Sequence, residues 1–143
     1  MNIFFDTSSF FKLYHQEIGT EQLLNFLNQN PDHKIFISQL TLVEMYSALS
    51  KKVRIGHLSS EQMKNFLIVL DSDFKKCTIV NIDSSVIEKA QQLVIQFGLK
   101  GLRSLDAIQL ASAIKIKSLV DVALTGDNLL KKMLIEEGIN CDF

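Results

Sequence analysis

Short apolar segments alternate with longer segments of helical periodicity along this chain. Four of the short segments are rich in β-branched or aromatic residues and are predicted to be buried strands, at residues 3–5, 35–37, 78–82 and 122–124. Each is followed by a segment whose apolar residues recur every three or four positions, which is typical of an amphipathic helix. The alternation predicts an α/β fold with a mainly parallel sheet and helices on both of its faces.

The composition is typical of one globular domain. The chain has 143 residues, of which 47% are hydrophobic and 22% are charged, and this length is sufficient for a complete core. It contains one proline and six glycines, and it has no Ser/Gly-rich tract or tract of a single charge that would separate two parts. We therefore expect a single domain over residues 1–143.

Charge and hydropathy exclude several classes of protein. The net charge of −1 argues against a protein that holds nucleic acid by a broad basic face alone, so any phosphate affinity must come from local clusters or bound cations. No apolar run approaches the about 20 residues of a membrane span, and the apolar start is too short for a signal peptide and is interrupted by Asp6. We expect a soluble, cytoplasmic protein without membrane association.

Four acidic residues lie near the positions where a parallel sheet binds its ligands. Asp6 directly follows the first predicted strand, and Asp127 closely follows the fourth. Glu44 is expected about two turns into the helix after the second strand, and Asp106 in the first turn of a later helix. Such sheets bind ligands at the carboxyl ends of their strands. Two carboxylates about 5 Å apart repel by on the order of 3 kcal/mol at an effective dielectric constant of roughly 20, so a fold that gathers four is expected to bind a divalent metal ion.

Each acid also has an explanation in local structure. Asp6 could form an Asx turn, Asp127 could cap the following helix, and Asp106 would be favoured by the helix dipole. Glu44 stands three positions after Thr41, which is the spacing of a capping box. A helix that begins a few residues earlier would place Glu44 too deep for that role. Taken together, a shared site explains the four acids better than four separate local roles.

The acids lie within four motifs, which read in chain order FFDTS, SQLTLVEMYSAL, LRSLDAIQLASA and ALTGDNLL. In this order, and over essentially the whole chain, the motifs resemble those of the PIN-domain ribonucleases of the VapC toxin type. LDAIQLA and TGD are the most specific of them. The resemblance implies a three-layer α/β/α sandwich that binds Mg²⁺ or Mn²⁺ and cleaves RNA, usually as a homodimer that a cognate antitoxin inhibits.

The resemblance also implies roles for individual residues. The catalytic and metal-binding cluster would consist of Asp6, Glu44, Asp106 and Asp127. Because Mg²⁺ keeps several waters and takes one or two carboxylates directly, Asp6 and Asp106 are the first choices for direct contact. Glu44 would position a second ion or the attacking water, and Asp127 would act through a water or as an outer acceptor.

Several polar and basic residues are candidates for contact with the substrate. Ser8 and Thr125 could hydrogen-bond a phosphate or a metal-bound water, although hydroxyls at such positions are also ordinary turn and cap residues. Arg103 precedes the helix that carries Asp106 and could approach a phosphate at the helix N-terminus; the alternative is a solvated arginine. Residues 51–54 include the densest basic cluster, which could follow an RNA backbone or be a solvated helix end.

Two alternatives from other classes are considered. A receiver-like, Mg²⁺-binding phosphoacceptor domain would have an acidic pair after the first strand and a lysine after the last, whereas Asp6 stands alone and Asp127 occupies the later position. A catalytically inactive PIN scaffold could serve as a binding module, but all four acids are retained. Periodicity leaves open which RNA is cut, how many metal ions are bound, which antitoxin inhibits the chain and its oligomeric state.

Overall fold

The computed structural model describes residues 1–141, and this part of the chain forms four strands and seven α-helices. In chain order they are β1 (Asn2–Phe5), α1 (Thr7–Phe11), α2 (Thr20–Gln29), β2 (Lys34–Ser38), α3 (Gln39–Arg54), α4 (Ser60–Phe74), β3 (Thr78–Val80), α5 (Ser84–Phe97), α6 (Ser104–Lys115), β4 (Val122–Leu124) and α7 (Asn128–Glu136). A short 3-10 helix, Gly98–Lys100, lies between α5 and α6.

The four strands form one parallel sheet in the order β3-β2-β1-β4. Side chains of a strand alternate between the two faces. Accordingly Ile3 and Phe5 pack in the apolar cluster formed with α1 to α4, whereas Phe4 packs in the cluster formed with α5 to α7. The helices thus cover both faces of the sheet, and the predicted α/β/α sandwich is confirmed.

The third strand is shorter than its sequence predicts. It ends at Val80 rather than at residue 82. The backbone N–H of Ile82 donates to the side-chain oxygen of Gln39 at 2.9 Å, instead of to a neighbouring strand. Asp83 then caps α5 by accepting a hydrogen bond from the N–H of Val86. The β-branched composition of the segment therefore extends beyond the strand into the cap of the next helix.

The start of α3 decides between the two local roles considered for Glu44. The N-cap is Ser38, whose hydroxyl accepts from the N–H of Leu40 at 3.2 Å. A capping-box glutamate stands three residues after the cap, whereas Glu44 stands six residues after Ser38. Glu44 therefore lies nearly two turns into α3, as predicted, and it does not form a capping box with Thr41.

The neighbouring strands β1 and β4 bring distant parts of the chain together at the carboxyl ends of the strands. Phe5 of β1 lies in register with Leu124 of β4, and the N–H of Asp6 donates to the carbonyl of Leu124 at 3.1 Å. The residues that follow these two strands are therefore neighbours. Within residues 1–141, no helix combines the length and the apolar character needed to cross a membrane. The single domain over residues 1–143 stays a prediction, because residues 142 and 143 lie outside the described part.

Candidate active site

The four predicted acids line one open cavity of about 590 Å³. Asp6 comes from the end of β1, Glu44 from α3, Asp106 from the first turn of α6, and Asp127 from the turn after β4. We call this space the acidic cavity. The fold thus brings together residues that are up to 121 positions apart in the sequence, while their chemical roles stay predictions.

Asp6 is the most buried of the four acids, with 5% of its surface exposed. Its Oδ1 accepts the N–H of Ser9 at 2.8 Å, which makes Asp6 the N-cap of α1. The hydroxyl of Ser8 donates to the carboxylate at 2.8 and 2.9 Å, and the hydroxyl of Thr125 donates to Oδ2 at 2.6 Å. Ser8 and Thr125, which are predicted to hydrogen-bond a phosphate or a metal-bound water, therefore both contact Asp6 directly.

Burial raises the pKa of Asp6 above its ordinary value. The hydrogen bonds from Thr125, Ser9 and Ser8 act in the opposite direction because they stabilise the charged carboxylate, and the negative charge of Glu44 raises the pKa further. The carboxylate is therefore held in a place where its charge is costly. A cation in the acidic cavity would relieve both the desolvation and the repulsion by Glu44.

Glu44 is held by a network of residues from three helices. Its Oε2 accepts hydrogen bonds from the hydroxyl of Thr7 on α1 and from the amide of Gln109 on α6, the latter at 2.8 Å. The Gln109 amide also lies 2.9 Å from Oγ1 of Thr7 and 3.1 Å from Oγ1 of Thr41.

Sequence reasoning missed Thr7, Thr41 and Gln109. The available signal for Gln109 was its position three residues after Asp106, which places both on one face of α6.

Arg103 lies beside Asp106 rather than apart from the acids. Its Nε is 3.5 Å from Oδ2 of Asp106, and 84% of the Arg103 side chain is exposed. An exposed pair of this kind is weak, so it leaves the guanidinium available to a phosphate. Binding of substrate by Arg103 stays a prediction.

Asp127 caps a helix and also lines the acidic cavity. Its Oδ1 accepts the N–H of Leu130 at 2.8 Å, so Asp127 is the N-cap of α7 as the local explanation proposed. Its own N–H donates to the Thr125 hydroxyl at 3.0 Å. The turn is tight at Gly126, where an added Cβ would lie 3.1 Å from Oγ of Ser8. Asp127 therefore lines the acidic cavity while it starts a helix.

Basic residues also line the acidic cavity. Lys51, Lys52 and Arg54 come from the last turn of α3, whose middle carries Glu44. Lys52 forms an ion pair with Glu17 at 3.1 Å. Within residues 1–141, neither Lys51 nor Arg54 forms an ion pair. The cavity is thus lined both by the four acids and by two basic side chains, Lys51 and Arg54, that have no ion-pair partner among residues 1–141.

The donor set fits a hard divalent cation. Carboxylate and hydroxyl oxygens are the ligands that Mg²⁺ and Mn²⁺ prefer. In the described part of the chain, no three His, Cys, Asp or Glu side chains form a group that could hold a metal ion by themselves. Mg²⁺ typically takes one or two carboxylates together with water or substrate oxygens. The oxygens of Asp6, Glu44, Asp106 and Asp127 are the candidates.

A family model for the PIN domain matches residues 3–133. The chain belongs to the PIN domain family. The predicted resemblance to this family is confirmed, and the matched range contains all four acids. No curated protein matches this PIN domain significantly in sequence.

Several solved structures, among them VapBC and VapC proteins, are similar in fold to this PIN domain. VapBC2 from Rickettsia felis, bound to a promoter DNA fragment, matches with a TM-score of 0.65 and 16% identity over 99% of this chain and 98% of that one. VapC20 from Mycobacterium tuberculosis, a Sarcin-Ricin loop cleaving toxin, matches with a TM-score of 0.68 and 17% identity. The match covers 92% of this chain and 94% of that one. FitAcB from Neisseria gonorrhoeae matches with a TM-score of 0.67 and 16% identity over 97% of this chain and 95% of that one.

Proposed function

We propose that this PIN domain is a Mg²⁺- or Mn²⁺-dependent endoribonuclease that hydrolyses RNA phosphodiester bonds as the toxin of a type II toxin–antitoxin pair. The observation that carries the proposal is the convergence of Asp6, Glu44, Asp106 and Asp127 on one cavity at the carboxyl edge of the sheet. Membership of the PIN family supports a nuclease, and the Mycobacterium tuberculosis neighbour is an RNA-cleaving toxin by its name.

The proposed chemistry follows from the residue types. A divalent ion in the cavity would polarise the scissile phosphate and lower the pKa of a bound water. Asp6 and Asp106 would hold the ion. Glu44 would position a second ion or orient the attacking water by accepting a hydrogen bond from it, and Asp127 would act through a water or as an outer acceptor. Thr125 and Ser8 keep the carboxylate of Asp6 in one orientation through their hydrogen bonds.

The charge distribution in the cavity supports a polyanionic substrate. The repulsion among the acids would exclude a phosphate unless a cation is bound between them. Lys51 and Arg54 would attract further phosphates of the same strand. Arg103 would contact the same strand beside Asp106. A substrate that carries several phosphates can contact a cation held by the acids and the basic side chains at the same time, which a single small anion cannot.

The neighbours support an antitoxin partner, since several of them are toxin–antitoxin assemblies by name. The protein would be a homodimer in the cytoplasm, where its RNA substrate is found. Co-expression with the product of the neighbouring reading frame, followed by purification, tests the partner. Light scattering of the purified chain tests the dimer.

Cleavage of total RNA by purified protein tests the function. Wild-type protein should cut RNA in Mg²⁺ or Mn²⁺ and should not cut it in chelator. Asp6→Asn and Asp106→Asn should each lose at least about 100-fold in rate. The matched control is Asp32→Asn, because Asp32 is exposed and does not line the acidic cavity.

Equal cleavage by wild-type protein and Asp6→Asn would reject the metal mechanism. The absence of cleavage by wild-type protein in either ion would favour the inactive binding module. Sequencing RNA ends after brief induction in cells, with Asp6→Asn as the control, would identify the target. PIN family membership already argues against the receiver-like alternative.

A further inference from the structure

Gln109 is a buried polar residue whose amide group lies among acceptors. It is 4% exposed, and its Nε2 lies 2.8 Å from Oε2 of Glu44, 2.9 Å from Oγ1 of Thr7 and 3.1 Å from Oγ1 of Thr41. The amide has two hydrogens for these three acceptors. Thr7 itself donates to Oε2 of Glu44. Gln109 therefore connects α6 with α1 and α3 directly beside the acidic cavity.

The orientation of this amide leaves its oxygen without a partner. Oε1 of Gln109 is buried and accepts no hydrogen bond from any of residues 1–141. A buried, unpaired acceptor is destabilising because it has lost its hydrogen bonds to water without gaining others. The opposite orientation would place the carbonyl oxygen against the carboxylate of Glu44, and two acceptors would then repel each other. The amide is therefore oriented so that its nitrogen donates to Glu44, although its oxygen then has no donor.

The contacts to Glu44 all involve the same oxygen. Among residues 1–141, the hydrogen bonds from Thr7 and Gln109 both go to Oε2. Two donors fix the carboxylate in one rotamer and leave Oε1 as the oxygen that can accept from a ligand. A glutamate on a flexible side chain would otherwise lose rotamer freedom when it holds a ligand.

We propose that Gln109 is a positioning residue that holds Oε2 of Glu44 and thereby presents Oε1 to a divalent cation or its bound water. The inference rests on the proposed function and names a residue that acts through Glu44. Gln109 stands one helical turn after Asp106 on α6, so the same helix supplies one acid and orients another.

A double-mutant cycle tests this role. Gln109→Met keeps an unbranched side chain of similar length and removes the donor. Glu44→Gln removes the charge on which Gln109 acts. The Mn²⁺ dissociation constant is measured by electron paramagnetic resonance for wild-type protein, both single variants and the double variant, and the RNA cleavage rate is measured for the same four proteins.

Gln109→Met should weaken Mn²⁺ binding about tenfold, which is the lower end for groups that orient metal ligands. In the Glu44→Gln background the same change should alter binding less than twofold, because the residue acts through Glu44. The cleavage rates should show the same non-additivity. A thermal midpoint above the assay temperature confirms that the variants are folded.

Ser112→Ala is the matched control. Ser112 is a buried polar residue of the same helix and hydrogen-bonds Ser38 and the carbonyl of Ile108, away from the acidic cavity. It should lower the thermal midpoint without changing Mn²⁺ affinity. A loss of affinity in Ser112→Ala equal to that in Gln109→Met would reduce Gln109 to a packing residue and overturn the inference.

The two proposals fail in different ways. RNA cleavage by wild-type protein together with additive effects in the cycle would overturn the role of Gln109 and keep the proposed function. Non-additive Mn²⁺ binding without any RNA cleavage would support the role of Gln109 and reject the ribonuclease. Wild-type protein that binds no Mn²⁺ would overturn the positioning role outright.

Discussion

Thr125 donates a hydrogen bond of 2.6 Å to Oδ2 of Asp6, which ties the turn after β4 to the end of β1. The two strands are neighbours, with Leu124 in register with Phe5. Asp6 is thereby held as a buried carboxylate with three donors, from Ser8, Ser9 and Thr125. Since burial still raises its pKa, these hydrogen bonds offset the cost of the charge only in part.

We expect Asp6→Asn to raise the thermal midpoint of the metal-free protein at pH 7. The folded pKa of Asp6 lies above the ordinary value of 3.8, so the folded chain binds this proton more tightly than the unfolded chain. The stability gained by protonation is complete below 3.8 and is lost as the pH rises through the folded pKa. At pH 7 the buried charge is therefore destabilising, and its removal should raise the midpoint.

Calorimetry in chelator measures this effect. The gain should shrink as the pH falls toward 3.8, because wild-type Asp6 becomes neutral as well. Asp32→Asn is the control, since Asp32 is exposed and should leave the midpoint unchanged. A lower midpoint of Asp6→Asn at pH 7 would contradict the role of burial.

We expect millimolar Mg²⁺ to raise the thermal midpoint of wild-type protein relative to chelator. A ligand that binds only the folded state stabilises it by about 2.7 kcal/mol at 100 times its dissociation constant. Asp106→Asn should show a much smaller increase, because it removes a candidate ligand, whereas Asp32→Asn should respond like wild-type protein. Equal midpoints of the wild-type chain in Mg²⁺ and in chelator would argue against a preformed metal site.

The sequence predicts well those features that depend on local pattern and on general rules of topology. The strand at residues 122–124 is observed with these bounds because a short, fully apolar segment in a parallel sheet is buried on both faces. The sequence predicts that Asp6 and Asp127 lie at one edge of the sheet, because the carboxyl ends of parallel strands meet there. Asp106 lies in the first turn of α6, as its position after Ser104 indicated.

Contacts between distant helices are the part that the sequence does not reveal. Gln109 meets Glu44 across 65 positions and Thr7 across 102 positions. These contacts depend on the rotation of α3 and α6 about their axes and on their spacing, neither of which periodicity determines. A glutamine in an apolar helix is also compatible with an exposed position. The same limit applies to Thr41, which sequence spacing linked to Glu44 as a cap but which instead lies beside the Gln109 amide.

We expect charge reversal at the end of α3 to weaken RNA binding and to lower its salt dependence. Lys51 and Arg54 line the acidic cavity and form no ion pair within residues 1–141. If each neutralises one phosphate of a single strand, the double variant Lys51→Glu, Arg54→Glu should reduce the slope of log affinity against log salt by about 1.4. Fluorescence anisotropy with Asp6→Asn protein measures binding without cleavage.

The control for this experiment reverses two charges elsewhere. Lys75 and Lys117 are exposed and do not line the acidic cavity. The variant Lys75→Glu, Lys117→Glu has the same net charge as the first and should keep the wild-type slope. An equal reduction of the slope in both variants would show that the overall charge, and not the cavity, governs binding.

We expect the thiol of Cys77 to react slowly with iodoacetamide in the folded protein. Partial burial raises its pKa to about 11, the negative charge of Asp73 adds to the shift, and Lys76 opposes it. Because the thiolate is the reactive form, only about one molecule in a thousand would carry a reactive Cys77 at pH 8. The rate should increase about tenfold per pH unit and level off only near pH 11, as followed by mass spectrometry of the peptide that contains Cys77.

The same peptide in the denatured chain, where the thiol has its ordinary pKa, is the control. A plateau near pH 9 in the folded protein would show that burial does not suppress the thiolate.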